Sequence, residues 1–180
     1  MALQHARRSV ELYRTADARD PLAYARNVEA MAYIGAGKIE EGIQTLEEVR
    51  LRGKEDDTPR LEGFSLFNLA RVYRMKGDGA RALEIADAAA AVLGRIGAPE
   101  AVPTSAFADV LRADAANDRK ALAQALLSCA ESCKGAGDLF SPGDLLREAE
   151  TIAQAEGLEK IAQKADEALK DLARAASAAE

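Results

Sequence analysis

Residues 72–89, "VYRMKGDGARALEIADAA", decide the reading of this chain, because residues 32–49, "AYIGAGKIEEGIQTLEEV", carry the same pattern 40 positions earlier. In each, a tyrosine (Tyr33, Tyr73) precedes a glycine by four residues (Gly37, Gly77), and a small residue (Gly42, Ala82) follows five later. Apolar positions then come at spacings of four and three, Leu46 and Val49 in one stretch, Ala86 and Ala89 in the other. Advancing by 40 gives Ala113, Asn117, Leu122, Leu126 and Cys129, and a further step gives Ala153, Gly157, Ala162, Asp166 and Leu169. Four units align without a gap, which is the signature of a repeat architecture.

Each column answers a physical need. Gly37, Gly77, Asn117 and Gly157 stand where the chain leaves one helix through a left-handed residue, a conformation Gly and Asn tolerate best. Small side chains at 42, 82 and 162 let two helices approach closely, and Leu122 breaks that rule. Helix starts recur as well: Asp20–Pro21, Thr58–Pro59 and Ser141–Pro142 each put a capping residue before a first-turn proline, and "SPGD" at 141–144 has the form of a capping box. Pro99 and Pro103 mark the remaining junction. The pattern predicts nine helices, over 2–17, 21–36, 38–53, 59–76, 79–96, 103–116, 118–134, 141–156 and 158–178.

These residues resemble the tetratricopeptide repeat family. The best unit is 63–96, where Leu66, Leu69, Ala70, Tyr73, Gly77, Ala82, Ala86 and Ala89 fall at the family's signature spacings. The first unit matches through Ala30, Tyr33, Gly37, Gly42, Leu46 and Val49, and the last two match in register and helix pattern. Units of 40 residues are longer than the family's usual 34. The resemblance implies an all-α, right-handed superhelical α-solenoid of antiparallel helix pairs, whose first helices line a concave groove. It implies one repeat domain over 1–180, with a half repeat or cap at 1–18 and repeats at 19–56, 57–98, 99–138 and 139–180. Because the first helix registers with the second helix of a pair, the chain reads either as a piece of a longer protein, which is favoured, or as opening with a specialised cap.

Composition limits the function classes. Helix formers dominate, with aromatics at 4%, no Trp and a net charge of −6, which argues against nucleic acid as a partner. Charge is uneven, residues 50–81 holding eight Lys/Arg against five Asp/Glu, and residues 98–180 nine against fifteen. No stretch is long and apolar enough to enter a membrane, and "MALQHARRSVEL" lacks the apolar core of a secretion signal, so a cytoplasmic location is expected. Cys129 and Cys133 read as small buried residues rather than as disulfide or metal ligands. His5 is the single histidine and no phosphate-binding loop or metal-ligand spacing appears, so neither catalytic residues, metal nor cofactor is expected.

On α-helical spacing, Leu66, Leu69, Ala70 and Tyr73 form one stripe of the best unit's first helix; Phe64, Phe67, Asn68, Arg71, Arg74 and Met75 form the other. The first unit supplies Tyr24, Asn27, Val28, Met31 and Ile34, and the third Thr104, Phe107, Ala108, Leu111 and Asp114. The candidate peptide-binding residues are therefore Tyr24, Asn27, Met31, Phe64, Phe67, Asn68, Arg71, Arg74, Phe107 and Leu111. Arginine pairs bidentately with carboxylate, and asparagine bonds peptide backbone, so this row suits a partner segment with an apolar anchor and a carboxylate. The expected function is a non-enzymatic scaffold binding a peptide segment of a partner protein. Two alternatives stand beside it: a regulatory domain sensing a peptide or small molecule, and a structural stack that self-associates through its terminal helices.

Overall fold

The computed structural model describes residues 2–16, 18–133 and 141–178, and among them the secondary structure is nine helices with no strand. In order these are α1 (Ala2–Thr15), α2 (Arg19–Gly35), α3 (Ile39–Glu55), α4 (Pro59–Met75), α5 (Gly79–Arg95), α6 (Ala101–Ala115), α7 (Arg119–Ser132), α8 (Pro142–Ala155) and α9 (Glu159–Ser177). Every end lies within two residues of its expected position. The chain divides into two compact units, Met1–Ala101 and Val102–Glu180, so α1–α5 belong to the first, and α7–α9 with nearly all of α6 to the second.

The turn column behaves as its chemistry requires. Gly37 and Gly77 have φ of 79°, Asn117 52° and Gly157 67°, all left-handed. At each, the next N–H reaches back across the turn: Lys38 to Tyr33 O at 2.9 Å, Asp78 to Tyr73 O at 3.0 Å, Asp118 to Ala113 O at 3.2 Å, Leu158 to Ala153 O at 2.8 Å. These six-to-one bonds satisfy carbonyls that the helix end leaves open. A second column, offset by half a period, was not apparent in the sequence: Asp57 (φ 52°) and Gly97 (φ 62°) close α3 and α5 through Thr58 N to Gly53 O and Ala98 N to Leu93 O.

Helix starts depart from expectation. α2 begins at Arg19, before Asp20–Pro21, so Pro21 falls in the third helical position. Thr58 and Ser141 do occupy the N-cap positions before Pro59 and Pro142, yet neither side chain caps its helix. Thr58 Oγ1 instead donates to Gly53 O at 3.2 Å, and Asp144 pairs with Arg147 at 2.6 Å, so no capping box forms. The working caps are Asp78, accepting from Arg81 N at 3.2 Å, and Asp118, accepting from Ala121 N at 2.9 Å. Each directly follows a turn residue, where its carboxylate meets both orphan N–H groups and the positive end of the helix dipole.

Helix contact distances explain the small residues. A Cβ on Gly42 would stand 2.4 Å from Ile34 Cγ1 and 2.9 Å from the Ala30 carbonyl, so α2 and α3 meet closer than any side chain permits. Gly53 brings α3 against the start of α4, its missing Cβ lying 2.8 Å from Glu62 N. The exception, Leu122, is accommodated in the core of the second unit. Cys129 and Cys133 are buried thiols not joined to each other by a disulfide, and Cys133 Sγ donates to Cys129 O at 3.0 Å. Gly→Ala inside a helix ordinarily gains about 0.5–1 kcal/mol. Gly94→Ala, with nothing within 4 Å of its would-be Cβ, should follow that rule. Gly53→Ala should reverse it, losing about 1–3 kcal/mol, because backbone rather than a flexible side chain must give way. Urea unfolding midpoints of the two variants moving in the same direction would refute the close approach.

Candidate functional site

Of the ten side chains expected to face a partner, five are buried: Asn27 is 0% exposed, Phe67 1%, Leu111 2%, Asn68 3% and Phe107 3%. They cannot line an open surface. The reason is positional. α4 packs on α3 and α5 and also touches α2, so both of its stripes are covered, and an unbroken run from Ser65 to Ala70 is buried. α6 likewise buries Phe107 and Leu111 together with Pro103, Thr104, Ala108 and Val110.

Asn27 and Asn68 serve a different purpose. Asn27 Nδ2 donates to Ser65 Oγ at 2.8 Å, Asn68 Nδ2 donates to Asn27 Oδ1 at 3.0 Å, and Ser65 Oγ donates onward to Leu61 O at 3.0 Å. A buried amide satisfied this way locks α2 to α4 in one register, since any slip would strand polar groups out of water. The network reaches the surface at Arg71, whose Nη1 donates to Asn68 Oδ1 at 3.4 Å while its guanidinium lies 5.8 Å from the centre of the Phe67 ring. The buried residues thus position an arginine.

The other five, Tyr24, Met31, Phe64, Arg71 and Arg74, remain at least partly accessible, and all belong to the first unit. The Tyr24 and Phe64 rings are 6.3 Å apart at an interplanar angle of 48°, a tilted pair bridging the two helices. Val28 and Met75, assigned to the same two faces by spacing, are 59% and 67% exposed. With Tyr24, at 40%, they put three large apolar side chains of α2 and α4 in contact with water. Two further arginines of these helices are committed to carboxylates: Arg26 pairs with Glu48 at 2.6 Å, and Arg60 binds Glu100 through both Nε and Nη2. Hydrogen bonding to Glu100, then charge attraction, raises the Arg60 pKa.

Among the described residues no group of three or more His, Cys, Asp or Glu is placed to hold a metal ion. No described helix is long and apolar enough to cross a membrane. No family model matches the chain, and no curated protein does. Solved structures do. BtubC (BKLC) from P. vanneervenii is similar over 96% of this chain and 75% of its own, with a TM-score of 0.63 and 16% identity. Nearly identical TPR-like repeats of a putative kinesin light chain from Podosopora anserina are similar over 94% of this chain and 84% of theirs, with a TM-score of 0.53 and 16% identity. A single-substitution variant of those repeats aligns over the same shares with a TM-score of 0.52.

The fold is TPR-like. At this identity the likeness is one of fold, and it agrees with the 40-residue register, the left-handed turn residues and the antiparallel helix pairs of each unit. In TPR-like terms α2 and α4 are first helices of successive pairs, and the Tyr24–Phe64 contact joins equivalent positions, 40 residues apart.

Proposed function

We propose that this TPR-like chain is a non-enzymatic scaffold, cytoplasmic in location, that holds a peptide segment of another protein on the α2–α4 face of its first unit. The repeats at 19–56 and 57–98 supply that face. An apolar side chain of the partner rests on Tyr24, Val28 and Phe64, and a carboxylate pairs with Arg71 and Arg74. The observation that carries this reading is the coincidence, on two helices locked by a buried amide network, of exposed apolar side chains with a guanidinium held from below. A surface of this kind gains from desolvating apolar area, while charge-assisted bonds fix orientation.

Selection from a random peptide display library tests it. Enriched peptides are expected to combine an aromatic or aliphatic residue with a nearby carboxylate. Arg71→Ala with Arg74→Ala should weaken their binding at least about tenfold, and Tyr24→Ala should weaken it by a comparable factor. The far-ultraviolet circular dichroism should not change. Peptides that bind both variants as tightly as the parent protein would refute the assignment.

A further inference from the structure

The second unit contains a cleft of about 570 Å3 between α7 and α9, the second helices of successive pairs. This volume is in the range of small-molecule sites, about 300–1,000 Å3. Its apolar part is Leu127, Leu158 and Ile161, and its polar lining includes Lys120, Lys160 and Lys164. None of these lysines makes an ion pair with any described residue.

The repeat supplies an internal control. The corresponding cleft of the first unit, between α3 and α5, has about 640 Å3 and a floor of Leu66 and Leu69. There, two periods earlier, Ala80 stands at the register position of Lys160 and Glu84 at that of Lys164, while Lys120 registers with Glu40 of α3. Its cations are engaged: Arg50 pairs with Glu47 at 2.6 Å, and Arg81 lies 4.2 Å from the centre of the Tyr73 ring. The lysine cluster is therefore a property of the α7–α9 cleft and not a consequence of the repeat.

The placement of charge within the cleft is polar. Lys120 and Lys160 are each the second residue of their helix, so in the shared register both mark the same end, and Lys164 follows one turn later. The N-cap of α9 is Leu158, which has no side-chain oxygen, so the positive end of the helix dipole, offset in part by Glu159 in the first turn, adds to that end. Glu159 lines the same end, one acid against three lysines, whereas Glu131 lies eleven residues beyond Lys120, toward the far end of α7. Three lysines against Glu159 thus favour an anion at the helix-start end of the cleft, and Glu131 disfavours one toward the far end.

We propose that the α7–α9 cleft is a binding site for a small amphiphilic anion, a molecule with one acidic group and an aliphatic body. The acidic group pairs with Lys120, Lys160 and Lys164, and the body covers Leu127, Leu158 and Ile161. This site is separate from the α2–α4 face, so the two assignments stand or fall independently.

Titration of the full chain with octanoate, followed by amide chemical shifts, tests the proposal. Saturable shifts are expected at Leu127, Leu158 and Ile161, with none in the α3–α5 cleft. Octyltrimethylammonium, of the same chain length and opposite charge, should bind at least about fivefold more weakly, and Lys160→Gln with Lys164→Gln should weaken octanoate about tenfold. Acetate, which lacks the chain, should not saturate these shifts. The proposal is overturned if octanoate produces no saturable shift, if the shifts fall equally in both clefts, or if the cation or the double variant matches octanoate with the parent protein.

Discussion

Phe67→Ala is expected to destabilise the chain by about 3–5 kcal/mol, the loss typical of removing a fully enclosed aromatic ring. Phe67 is 1% exposed and, among the described residues, the largest fully enclosed side chain, so truncation leaves a large void in the packed first unit. Marginal domains hold about 5–15 kcal/mol in total, so this one substitution consumes a large share. Urea unfolding should show a lower midpoint at unchanged slope. The result also separates two roles. A loss below about 1 kcal/mol would mean a surface ring and would return Phe67 to the partner-binding row. Arg71 should be affected as well, because its guanidinium rests beside that ring.

Asn27→Ala should cost about 1.5–4.5 kcal/mol, from an Asn68 amide stranded at about 1–3 kcal/mol and the lost bond to Ser65 Oγ, which keeps Leu61 O, at about 0.5–1.5 kcal/mol. Asn68 Nδ2 loses its acceptor and Ser65 Oγ loses a donor in a place water does not reach. The diagnostic is non-additivity. Removing Asn68 as well eliminates the stranded amide, so Asn27→Ala with Asn68→Ala should lose less than the sum of the single variants. Strict additivity would break the case for a shared network. An exposed asparagine that bonds a peptide would behave differently, changing affinity and leaving unfolding untouched.

These two residues show where sequence reading succeeds and where it stops. Turn residues were legible because a left-handed backbone narrows the choice to Gly and Asn, and 37, 77, 117 and 157 obey it. Asp57 was hidden, since aspartate is common in solvated junctions and "KEDDTPR" reads as one. Asp78 and Asp118 were overlooked for a similar reason: the Ser/Thr–Pro pairs looked like stronger caps, yet their hydroxyls bond elsewhere or make no cap. Helical periodicity divides α4 into two stripes, but it carries no information on how many neighbours the helix has. α4 has them on both sides, and Asn27, Phe67 and Asn68 were therefore assigned outward although they face inward. The α7–α9 cleft was beyond periodicity altogether, because it needs the distance between two helices nearly 40 residues apart.

The hydrogen-bonded turns have a kinetic implication. Each left-handed residue reverses the chain within a few positions, so α2–α3, α3–α4 and α4–α5 in the first unit, and α6–α7 and α8–α9 in the second, are joined by very short loops. Among the described residues, the widest pairings within each unit are α2 with α4 and α7 with α9, each skipping a single helix. Within these pairs little loop entropy is spent before contacts form. Such topology folds in microseconds to milliseconds, and nucleation can begin at any well-formed pair and spread to its neighbours.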